Sequence, residues 1–348
     1  MLLKQIVLKN YRNFDENTFA FNPFLTIVIG ENARGKTNLL ESVYVSIHGY
    51  GFRESREEEL LKFGKNVTAI SAEFSAESDR FQFEVIMKKK DTNVEKSFLI
   101  NRTKKKYLHY YRETPKAVLF SPEQLDIIIG SPEVRRVYFN KLISSYDFEY
   151  KKRLVNYENA LRKRNKILES HTFNRDIHDE LVFWNDYLEE QGKFITQKRQ
   201  DYIDFLNNNK KIEKKEFSIE YQKNEFTKDR LKERTEEEKK YRKTLIGPQK
   251  DEFQIYQTEL KNRKNLHHFG SRSEQRLGVF WLKLNEVIYL ENKQKVKPLI
   301  FLDDVFSELD TKNRKLVIDV IKKYQTIITT TEPELLDLIH IPKSIIKL

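Results

Sequence analysis

The chain has 348 residues, and none of them is cysteine. This absence excludes disulfides, thiolate-bound zinc, iron–sulfur clusters and cysteine nucleophiles, and it is consistent with a reducing cytoplasm. No apolar run approaches the ~18 uninterrupted residues that a membrane-spanning helix requires. The first residues, MLLKQIVLKNYRNF, carry a charge at the fourth position, unlike a signal peptide. We therefore expect no membrane segment and a cytoplasmic location.

Proline and glycine are scarce, with 8 and 10 residues respectively. No proline lies between Pro132 and Pro248, and Gly192 is the single glycine of that interval before Gly247. A long stretch without helix breakers that is rich in Lys, Glu, Arg and Asn predicts helix. Two runs within it have apolar residues at heptad spacing: Leu154, Tyr157, Leu161 and Leu168, and then Leu181, Trp184, Leu188, Ile195, Tyr202 and Phe205.

The polar segment HTFNRDIH separates these two runs and has the length of a turn. Two amphipathic helices joined by a short polar loop form an antiparallel hairpin. Each run covers only about three heptads, which is short for a free coiled coil. We therefore expect a helical arm that packs on a larger body.

Acidic residues are fewer than basic ones: the chain has 53 Asp and Glu residues and 64 Lys and Arg residues, which gives a net charge of +11. This positive balance favours a polyanionic partner such as nucleic acid. The alternative is a genome whose codon usage favours lysine, and charge alone leaves both explanations open. Charged residues make up 34% of the chain, above the roughly 25% of average proteins, which favours long exposed helices.

The segments outside the helical interval alternate between strand and helix patterns. Continuous apolar runs predict strands buried on both faces, whereas alternating runs predict an antiparallel meander. Strand, helix and strand at both ends of the chain predict an α/β body with the helical arm inserted in its middle. The apolar runs are FLTIVIG, PLIFLDD and QTIITTT, the alternating ones are TAISAEFS, RFQFEVIMK and EKSFLINRT, and TKNRKLVIDVIKKY has helical spacing.

The most specific local pattern is G-x-x-x-x-G-K-[ST], directly after the strand that FLTIVIG predicts. Glycine allows positive φ angles and close approach, so backbone N–H groups can converge on a phosphate before a helix N-terminus. Lys36 would bridge the β- and γ-phosphates, and the Thr37 hydroxyl would bind Mg²⁺. The alternative is a chance match. The predicted nucleotide-binding residues are Gly30, Glu31, Asn32, Ala33, Arg34, Gly35, Lys36 and Thr37.

A nucleotide site of this type also needs an acidic residue at the end of a second buried strand. PLIFLDD supplies Asp303, which would hold Mg²⁺ through water, and Asp304, which would polarise the attacking water. The alternative is an ordinary acidic turn at a strand end. We therefore predict ATP and Mg²⁺ as cofactors, with Thr37 and Asp303 at the metal and Asp303 and Asp304 as the catalytic residues.

Several longer sequence segments, spread along the chain, together resemble the RecF family of ABC/SMC-type ATPase heads. The phosphate loop occurs in many families, whereas FLDDVFSELD with GSPEVRR and GPQKDEF is far more specific. The resemblance implies an α/β fold: an ABC-type P-loop ATPase head with an antiparallel β-subdomain, formed by residues 1–105 and 245–348, and a mainly helical arm inserted at 106–244. In chain order, up to about residue 332, the strings are LKNYRNF, GENARGKTNLLESVY, FRESREEELLKFG, FSPEQLDIIIGSPEVRR, GPQKDEF, SEQR and FLDDVFSELD.

The resemblance also implies a function. It implies an ATP-dependent homodimer that clamps double-stranded or gapped DNA, binds single-stranded DNA, hydrolyses ATP slowly and helps RecO and RecR to load a recombinase. Its processes would be DNA repair, DNA replication and the SOS response, with no membrane partner. A distant alternative is another head-type ATPase of a defence or nuclease-linked system. A membrane-transport ATPase fits poorly, because its two motifs lie closer together and it lacks such an arm.

Such a head needs a signature segment that completes the site of the other protomer, and GSRSEQR at 270–276 takes that place. The resemblance implies that Ser271 faces the γ-phosphate, and that Ser273, where such families usually have glycine, weakens dimerisation by crowding. The alternative is ordinary helix capping. The residues assigned to this half of the site are Ser271, Arg272, Ser273, Glu274, Gln275 and Asp310, the last in a loop that would contact the opposing phosphate loop.

Three further groups of residues are candidates for contacts with phosphate or DNA. Thr329–Thr331 stands where ABC transporters carry a histidine, and Arg53 and Arg56 follow the first predicted helix. Basic clusters with interleaved tyrosines favour sequence-independent DNA binding. The alternative for Arg53, Arg56 and the residues of the basic clusters is a solvated surface. The clusters are Arg102, Lys104, Lys105, Lys106, Arg112 and Lys116 with Tyr107, Tyr110 and Tyr111, and then Lys151, Lys152, Arg153, Arg162, Lys163, Arg164 and Lys166.

Overall fold

The structure is a computed structural model that describes residues 1–54, 56–91, 93–170, 178–212, 215–259, 262–295, 297–308, 311–334 and 341–348. The chain forms two compact units, Met1–Glu123 with Leu290–Leu348, and Gln124–Tyr289. These bounds differ from the predicted domains, because the second unit includes both GPQKDEF and GSRSEQR. Compactness assigns no function to either unit, so the predicted division into head and arm stays a prediction.

The three continuously apolar runs form short strands, and the three alternating runs form longer ones. The strands are β1 (Leu2–Tyr11), β2 (Phe14–Ala20), β3 (Leu25–Ile29), β4 (Val67–Ala76), β5 (Asp79–Lys90), β6 (Asn93–Ile100), β7 (Thr103–Lys105), β8 (Ala117–Phe120), β9 (Lys211–Ile212), β10 (Lys215–Gln222), β11 (Glu252–Glu259), β12 (Asn262–Asn265), β13 (Leu299–Asp303), β14 (Thr326–Thr330) and β15 (Lys343–Lys347).

The helices include two long ones in the middle of the chain, as the proline-free interval predicts. They are α1 (Lys36–His48), α2 (Tyr107–Glu113), α3 (Asp126–Ile129), α4 (Pro132–Tyr146), α5 (Phe148–Glu169), α6 (His178–Asn208), α7 (Lys228–Tyr241), α8 (Leu266–Phe269), α9 (Arg272–Gln294) and α10 (Thr311–Ile321). None of the helices in the described part of the chain is long and apolar enough to cross a membrane.

In its described residues, the first unit contains two sheets of different kinds. One is parallel, with the strand order β15-β3-β14-β13-β8, and the other is antiparallel, with the order β2-β1-β4-β5-β6-β7. Helix α1 contacts both sheets, and its Leu39, Leu40 and Val43 are fully buried in the core that they share. The predicted strands at 24–30, 298–304 and 325–331 are confirmed as β3, β13 and β14, and the predicted meander as β4, β5 and β6.

The second unit contains the predicted helical hairpin. Helices α5 and α6 pack on each other, and Tyr157, Leu168, Leu188 and Ile195 from the two heptad runs are buried. Most of the connecting segment HTFNRDIH, at 171–177, lies outside the described residues.

The expectation of helix throughout the proline-free interval is wrong for Lys215–Gln222. This segment is strand β10, which pairs antiparallel with β11 in a sheet of order β12-β11-β10-β9. The signal is the alternation in KEFSIEYQ, where Phe217 and Ile219 are buried on one face. A lack of breakers permits helix but does not exclude strand, because a strand needs neither glycine nor proline.

A buried ion pair joins α5 to α7 in the second unit. Arg164 donates to the Glu238 carboxylate at 2.6 Å, and the two side chains are 3% and 2% exposed. Arg164 also donates to the Thr244 hydroxyl at 2.8 Å. Removal of one charge from such a pair leaves the other buried and uncompensated.

Glu238→Gln is therefore expected to lower the free energy of unfolding by about 3 kcal/mol, as measured by urea denaturation. Glu237→Gln on the same helix is the control, since Glu237 is 49% exposed in its pair with Arg234, and exposed pairs contribute about 0–1 kcal/mol. An equal drop in the stability of both variants would contradict the structural role of the buried pair.

Candidate nucleotide-binding site

The phosphate loop connects β3 to α1 and bends where its glycines allow it. Gly35 has φ 103°, and a Cβ there would collide with the Asn13 side chain. At Gly30 a Cβ would collide with the backbone carbonyl of Leu348, which follows β15 beside β3. Ala33 also has positive φ, at 65°. Both glycine positions therefore exclude larger residues for local steric reasons.

The Lys36 side chain curls back into the loop. Its ammonium donates to the carbonyl oxygens of Gly30 at 2.9 Å and Glu31 at 2.8 Å. Burial lowers the pKa of Lys36, while the nearby carboxylates of Asp304 and Asp303 act in the opposite direction. The loop thus holds a cation on its inner side, where phosphate oxygens can replace the two carbonyls.

The β1–β2 turn supports the loop from outside, which the sequence did not lead us to expect. The Asn13 amide donates to the Arg34 carbonyl at 3.3 Å and accepts from the Asn38 amide at 2.8 Å. Beside it, Arg12 forms an ion pair with the buried Glu41 of α1 at 2.7 Å. The only signal was LKNYRNF, which contributed to the family resemblance without pointing to the loop.

A hydrogen bond connects the two predicted motifs, the phosphate loop and the acidic end of β13. The Thr37 hydroxyl donates to Asp303 Oδ1 at 2.9 Å, although the two residues are 266 positions apart. Thr329 donates to the same oxygen at 2.6 Å, because β13 and β14 are parallel with Asp303 opposite Thr329. Burial raises the pKa of Asp303, and the hydrogen bonds from Thr329 and Thr37 partly offset that rise.

Asp304 takes a backbone conformation that few residues adopt. Its φ is 50°, and its N–H donates to the carbonyl oxygen of Thr329 at 3.2 Å and to the hydroxyl at 3.1 Å. Aspartate tolerates this left-handed region better than most side chains do. Thr329 therefore fixes both acidic residues, a role that the sequence alone does not reveal.

The donor set at this point suits Mg²⁺. A threonine hydroxyl and a carboxylate lie within hydrogen-bonding distance of each other, and hard divalent cations prefer such oxygen ligands. Asp303 is only 4% exposed, and its carboxylate accepts hydrogen bonds from two neutral hydroxyl groups. A cation would balance the buried charge better than these hydroxyls do. Thr37 and Asp303 are thus the residues that would hold the metal.

The outer part of the loop is exposed. Arg34 forms an ion pair with Glu31 at 3.1 Å, with side chains that are 62% and 79% exposed. Asn32 and Ala33 are exposed as well. The contribution of these four residues to a phosphate site would therefore come from their backbone N–H groups.

The signature segment belongs to the second unit and begins α9. Ser271, Arg272 and Ser273 are exposed, and Ser271 shares hydrogen bonds with Glu274. Gln275 is buried, and its amide donates to the Leu266 carbonyl at 2.9 Å, so its side chain holds the start of the helix. Asp310 lies outside the described residues. The assignment of these residues to a second half-site stays a prediction.

The two arginines after α1 differ. Arg53 donates to the Asn38 side chain at 2.7 Å, and its backbone N–H donates to Glu41 at 3.1 Å, so it belongs to the surroundings of the loop. Arg56 is 78% exposed, 3.9 Å from Glu58.

The structure separates surface from core within the two basic clusters. Tyr110 and Tyr111 are buried, and the hydroxyl groups of Tyr107 and Tyr110 donate to carbonyls at the end of α1. Stacking of bases on Tyr110 and Tyr111 is therefore excluded, whereas Tyr107 is half-buried. Arg164 is buried as well. The exposed cations are Arg102, Lys104, Lys106 and Arg112 in the first unit, and Lys152, Arg162, Lys163 and Lys166 in the second.

A phosphate loop and a strand-end carboxylate pair on one parallel sheet, with an antiparallel sheet on the other side of the loop helix, define an ATPase head of the ABC/SMC class. The comparisons agree. Residues 2–347 match the family model described as the RecF/RecN/SMC N terminal domain. A solved SMC head domain from Pyrococcus furiosus has the same fold, with a TM-score of 0.53 at 16% identity over 97% of this chain and 91% of that one.

The more similar proteins share a single name. A DNA replication and repair protein RecF of Clostridium botulinum (type Ba4) is 34% identical over 352 residues, which cover 97% of this chain and 94% of the relative. RecF of Lachnoclostridium phytofermentans is 30% identical over 95% of this chain and 93% of the relative. A solved structure of "the recombination mediator protein RecF-ATP in RecFOR pathway" has a TM-score of 0.85 at 29% identity, over 95% of this chain and 92% of that one. The chain belongs to the RecF family.

Proposed function

We propose that this chain is an ATP-dependent DNA-binding protein of recombinational repair and replication, which acts as a dimeric clamp on double-stranded, single-stranded or gapped DNA. The observation that carries the proposal is the hydrogen bond from Thr37 to Asp303. This hydrogen bond brings the phosphate loop and the strand-end carboxylate together. A site that binds and hydrolyses a nucleoside triphosphate needs both of these parts. The similarity to a RecF structure described with ATP supports the choice of nucleotide.

Each residue of the site has a definite task in this proposal. Lys36 exchanges the carbonyls of Gly30 and Glu31 for phosphate oxygens. Thr37 and Asp303 hold Mg²⁺, which when bound neutralises phosphate charge. Asp304, set in position by Thr329, accepts a proton from the attacking water. The hydrolysis is slow in this proposal, because an aspartate reaches the water less easily than the longer glutamate usual in ABC-type heads.

The partners follow from the same family. The Ser271–Gln275 segment of one protomer would complete the nucleotide site of the other. RecR and RecO are the proposed protein partners, with loading of a recombinase, a part in the SOS response and the cytoplasm as location. The name of the RecFOR pathway, given for a similar structure, supports this choice.

The experiment that tests the proposal is light scattering of the purified chain with Mg²⁺ and ATP, with and without a gapped DNA duplex. We expect a monomer without nucleotide, a dimer with ATP, and a dimer that forms at lower ATP concentration when gapped DNA is present. A chain that binds ATP but stays monomeric under all conditions would contradict the clamp.

DNA binding should depend steeply on salt. The exposed cations of α5 lie on a helix surface that phosphates can reach, so log affinity should fall linearly with log salt, by about 0.9 per phosphate neutralised. Replacement of Lys152, Arg162 and Lys166 by glutamine should flatten the slope by about 0.9 for each phosphate that is no longer neutralised. Fluorescence anisotropy at several salt concentrations measures this slope.

The matched control replaces by glutamine Lys232 and Lys240 of α7 and Lys243 just after it, which are also exposed. The sequence of α7 carries several acidic residues, unlike the basic stretch of α5. This control should keep the parental slope. A parental slope in the α5 variant would place the DNA elsewhere, and Arg102, Lys104 and Lys106 of the first unit would be the next set to replace.

A further inference from the structure

Three aromatic side chains form a cluster near the start of α6. The ring centroids of Phe183 and Tyr187 lie 6.1 Å apart in a stacked arrangement, and Trp184 lies 4.9 Å from Phe183 and 6.4 Å from Tyr187. Phe183 is 62% exposed, whereas Trp184 and Tyr187 are half-buried against a core of the second unit. Single exposed apolar residues are common on protein surfaces, but a contiguous group of them marks an interaction surface.

Lysines of α5 border this cluster. The Lys163 ammonium lies 4.9 Å from the centroid of the Trp184 ring. Lys166 follows about one turn later on α5, and both lysines are exposed. The acidic residues of the first turn of α6, at 179–180, lie about one turn before the rings. The cations are therefore on the α5 side of the rings.

Exposed rings beside cations suit an unpaired nucleic-acid strand. Each base of such a strand can stack on an aromatic ring, while lysines neutralise the phosphates that follow the bases. A duplex suits the cluster less well, because its bases stack on each other and leave the phosphates as the accessible groups. An apolar protein partner would use the rings but would have no need of the two lysines.

We infer that the surface formed by Phe183, Trp184, Tyr187, Lys163 and Lys166, called here the aromatic platform, binds unpaired bases of single-stranded or gapped DNA. Phe183 and Tyr187 contact the bases, and the two lysines contact the phosphates. This inference rests on the proposed function for the choice of DNA, and it assigns the unpaired part of that DNA to one surface. The sequence pattern favoured rings among the cations of the first basic cluster, whereas the most exposed ring lies beside the second.

Phe183→Ala removes the exposed ring and leaves every charge in place. Loss of one stack between a base and a ring predicts about tenfold weaker binding of an oligo-dT strand. The affinity for a blunt duplex should not change, nor should that for a strand of equal length with abasic sites instead of bases. Fluorescence anisotropy of the full chain with Mg²⁺ and ATP gives the three affinities. Phe183→Trp keeps a ring and should bind oligo-dT as the parent does.

The salt dependence distinguishes the rings from the lysines. Phe183→Ala should keep the parental slope of log affinity for oligo-dT against log salt, because it removes no phosphate contact. Lys166→Gln should flatten that slope by about 0.7, the value for one phosphate of a single strand. A flatter slope in Phe183→Ala would contradict stacking.

The fluorescence of Trp184 reports on the same surface. The chain has two tryptophans, and Trp281 is only 1% exposed, so a bound strand can reach Trp184 alone. Because stacked bases quench indole fluorescence, oligo-dT should quench the emission of the parent, and the abasic strand should not. Binding of oligo-dT without quenching would place the bases elsewhere.

Phe24→Ala is the matched control, because Phe24 is a 53% exposed phenylalanine of the first unit. It should bind all three probes like the parent, and thermal unfolding should show that both alanine variants are folded. Parental affinity of Phe183→Ala for oligo-dT, or an equal loss for oligo-dT and the abasic strand, would overturn this inference alone. A parent that binds neither duplex nor single strand would overturn DNA binding in the proposed function and the inference with it.

Discussion

Lys36→Ala is expected to abolish detectable ATP binding at micromolar nucleotide. The lysine would give charge-assisted hydrogen bonds to two phosphates, at roughly 1.5–3 kcal/mol each, so its removal should weaken binding by at least about 100-fold. The structure strengthens this expectation, because the ammonium already lies on the inner side of the loop against Gly30 and Glu31. Isothermal titration calorimetry with ATP and Mg²⁺ measures the change, and ATP-dependent DNA binding should disappear in parallel.

A control for charge and folding accompanies this variant. Lys65→Ala removes an exposed lysine from the same unit and should bind ATP like the parent. Thermal unfolding without nucleotide should show that both variants are folded, since the hydrogen bonds of the Lys36 ammonium go to its own loop. Unchanged ATP affinity in a folded Lys36→Ala protein would remove the central claim of the proposed function.

The sequence predicted those parts of the molecule that depend on short local patterns. The phosphate loop is defined within eight residues, and the buried strands before it and before Asp303 are continuous apolar runs. The meander at 68–103 follows from alternation, and the long helices from the absence of breakers together with heptad spacing. These patterns encode local conformation, so the chain shows them without knowledge of its fold.

The remaining contacts depend on residues that meet only in three dimensions. Thr329 bonds to both acidic residues because parallel pairing places it opposite Asp303. Asn13 supports the loop from a turn more than twenty residues earlier. Arg164 looked like one more exposed cation of α5, but its partner Glu238 is 74 residues further along the chain. No local pattern distinguishes such residues from solvated ones.

The tyrosines of the first basic cluster show that a local pattern can also suggest a binding surface where the side chains belong to the core. Alternating lysines and tyrosines are typical of a nucleic-acid surface, yet Tyr110 is fully buried against α1. Helix α2 places its tyrosines toward the core and leaves its charged residues outside. Because a helix presents two faces within a few residues, a mixed sequence is compatible with a binding surface and with an amphipathic helix alike.

Neutral substitutions of Asp303 and Asp304 should impair different functions, namely the binding of Mg²⁺-ATP and its hydrolysis. Asp303→Asn keeps a side-chain oxygen that can accept the hydrogen bonds from Thr37 and Thr329. It also removes a buried carboxylate, and burial raises the pKa of that group. The nucleotide-free protein should therefore remain folded. Without the carboxylate, the oxygen ligands for Mg²⁺ are weaker, so Asp303→Asn should bind Mg²⁺-ATP less tightly and dimerise less. Calorimetry with and without Mg²⁺ shows whether the weakening is specific to the metal.

Asp304→Asn should bind Mg²⁺-ATP like the parent and hydrolyse it at least about 100-fold more slowly, the contribution expected of a general base. Its backbone bonds to Thr329 are unchanged by the substitution, and Thr37 and Asp303 remain in place for the metal. The ATP-bound dimer should therefore accumulate and hold DNA longer, as single-turnover hydrolysis and light scattering would show. Parental hydrolysis in Asp304→Asn, or identical behaviour of the two variants, would contradict the separate roles of these carboxylates. The contrast is decisive because Thr329 positions both residues, so a purely structural defect would affect the two variants alike.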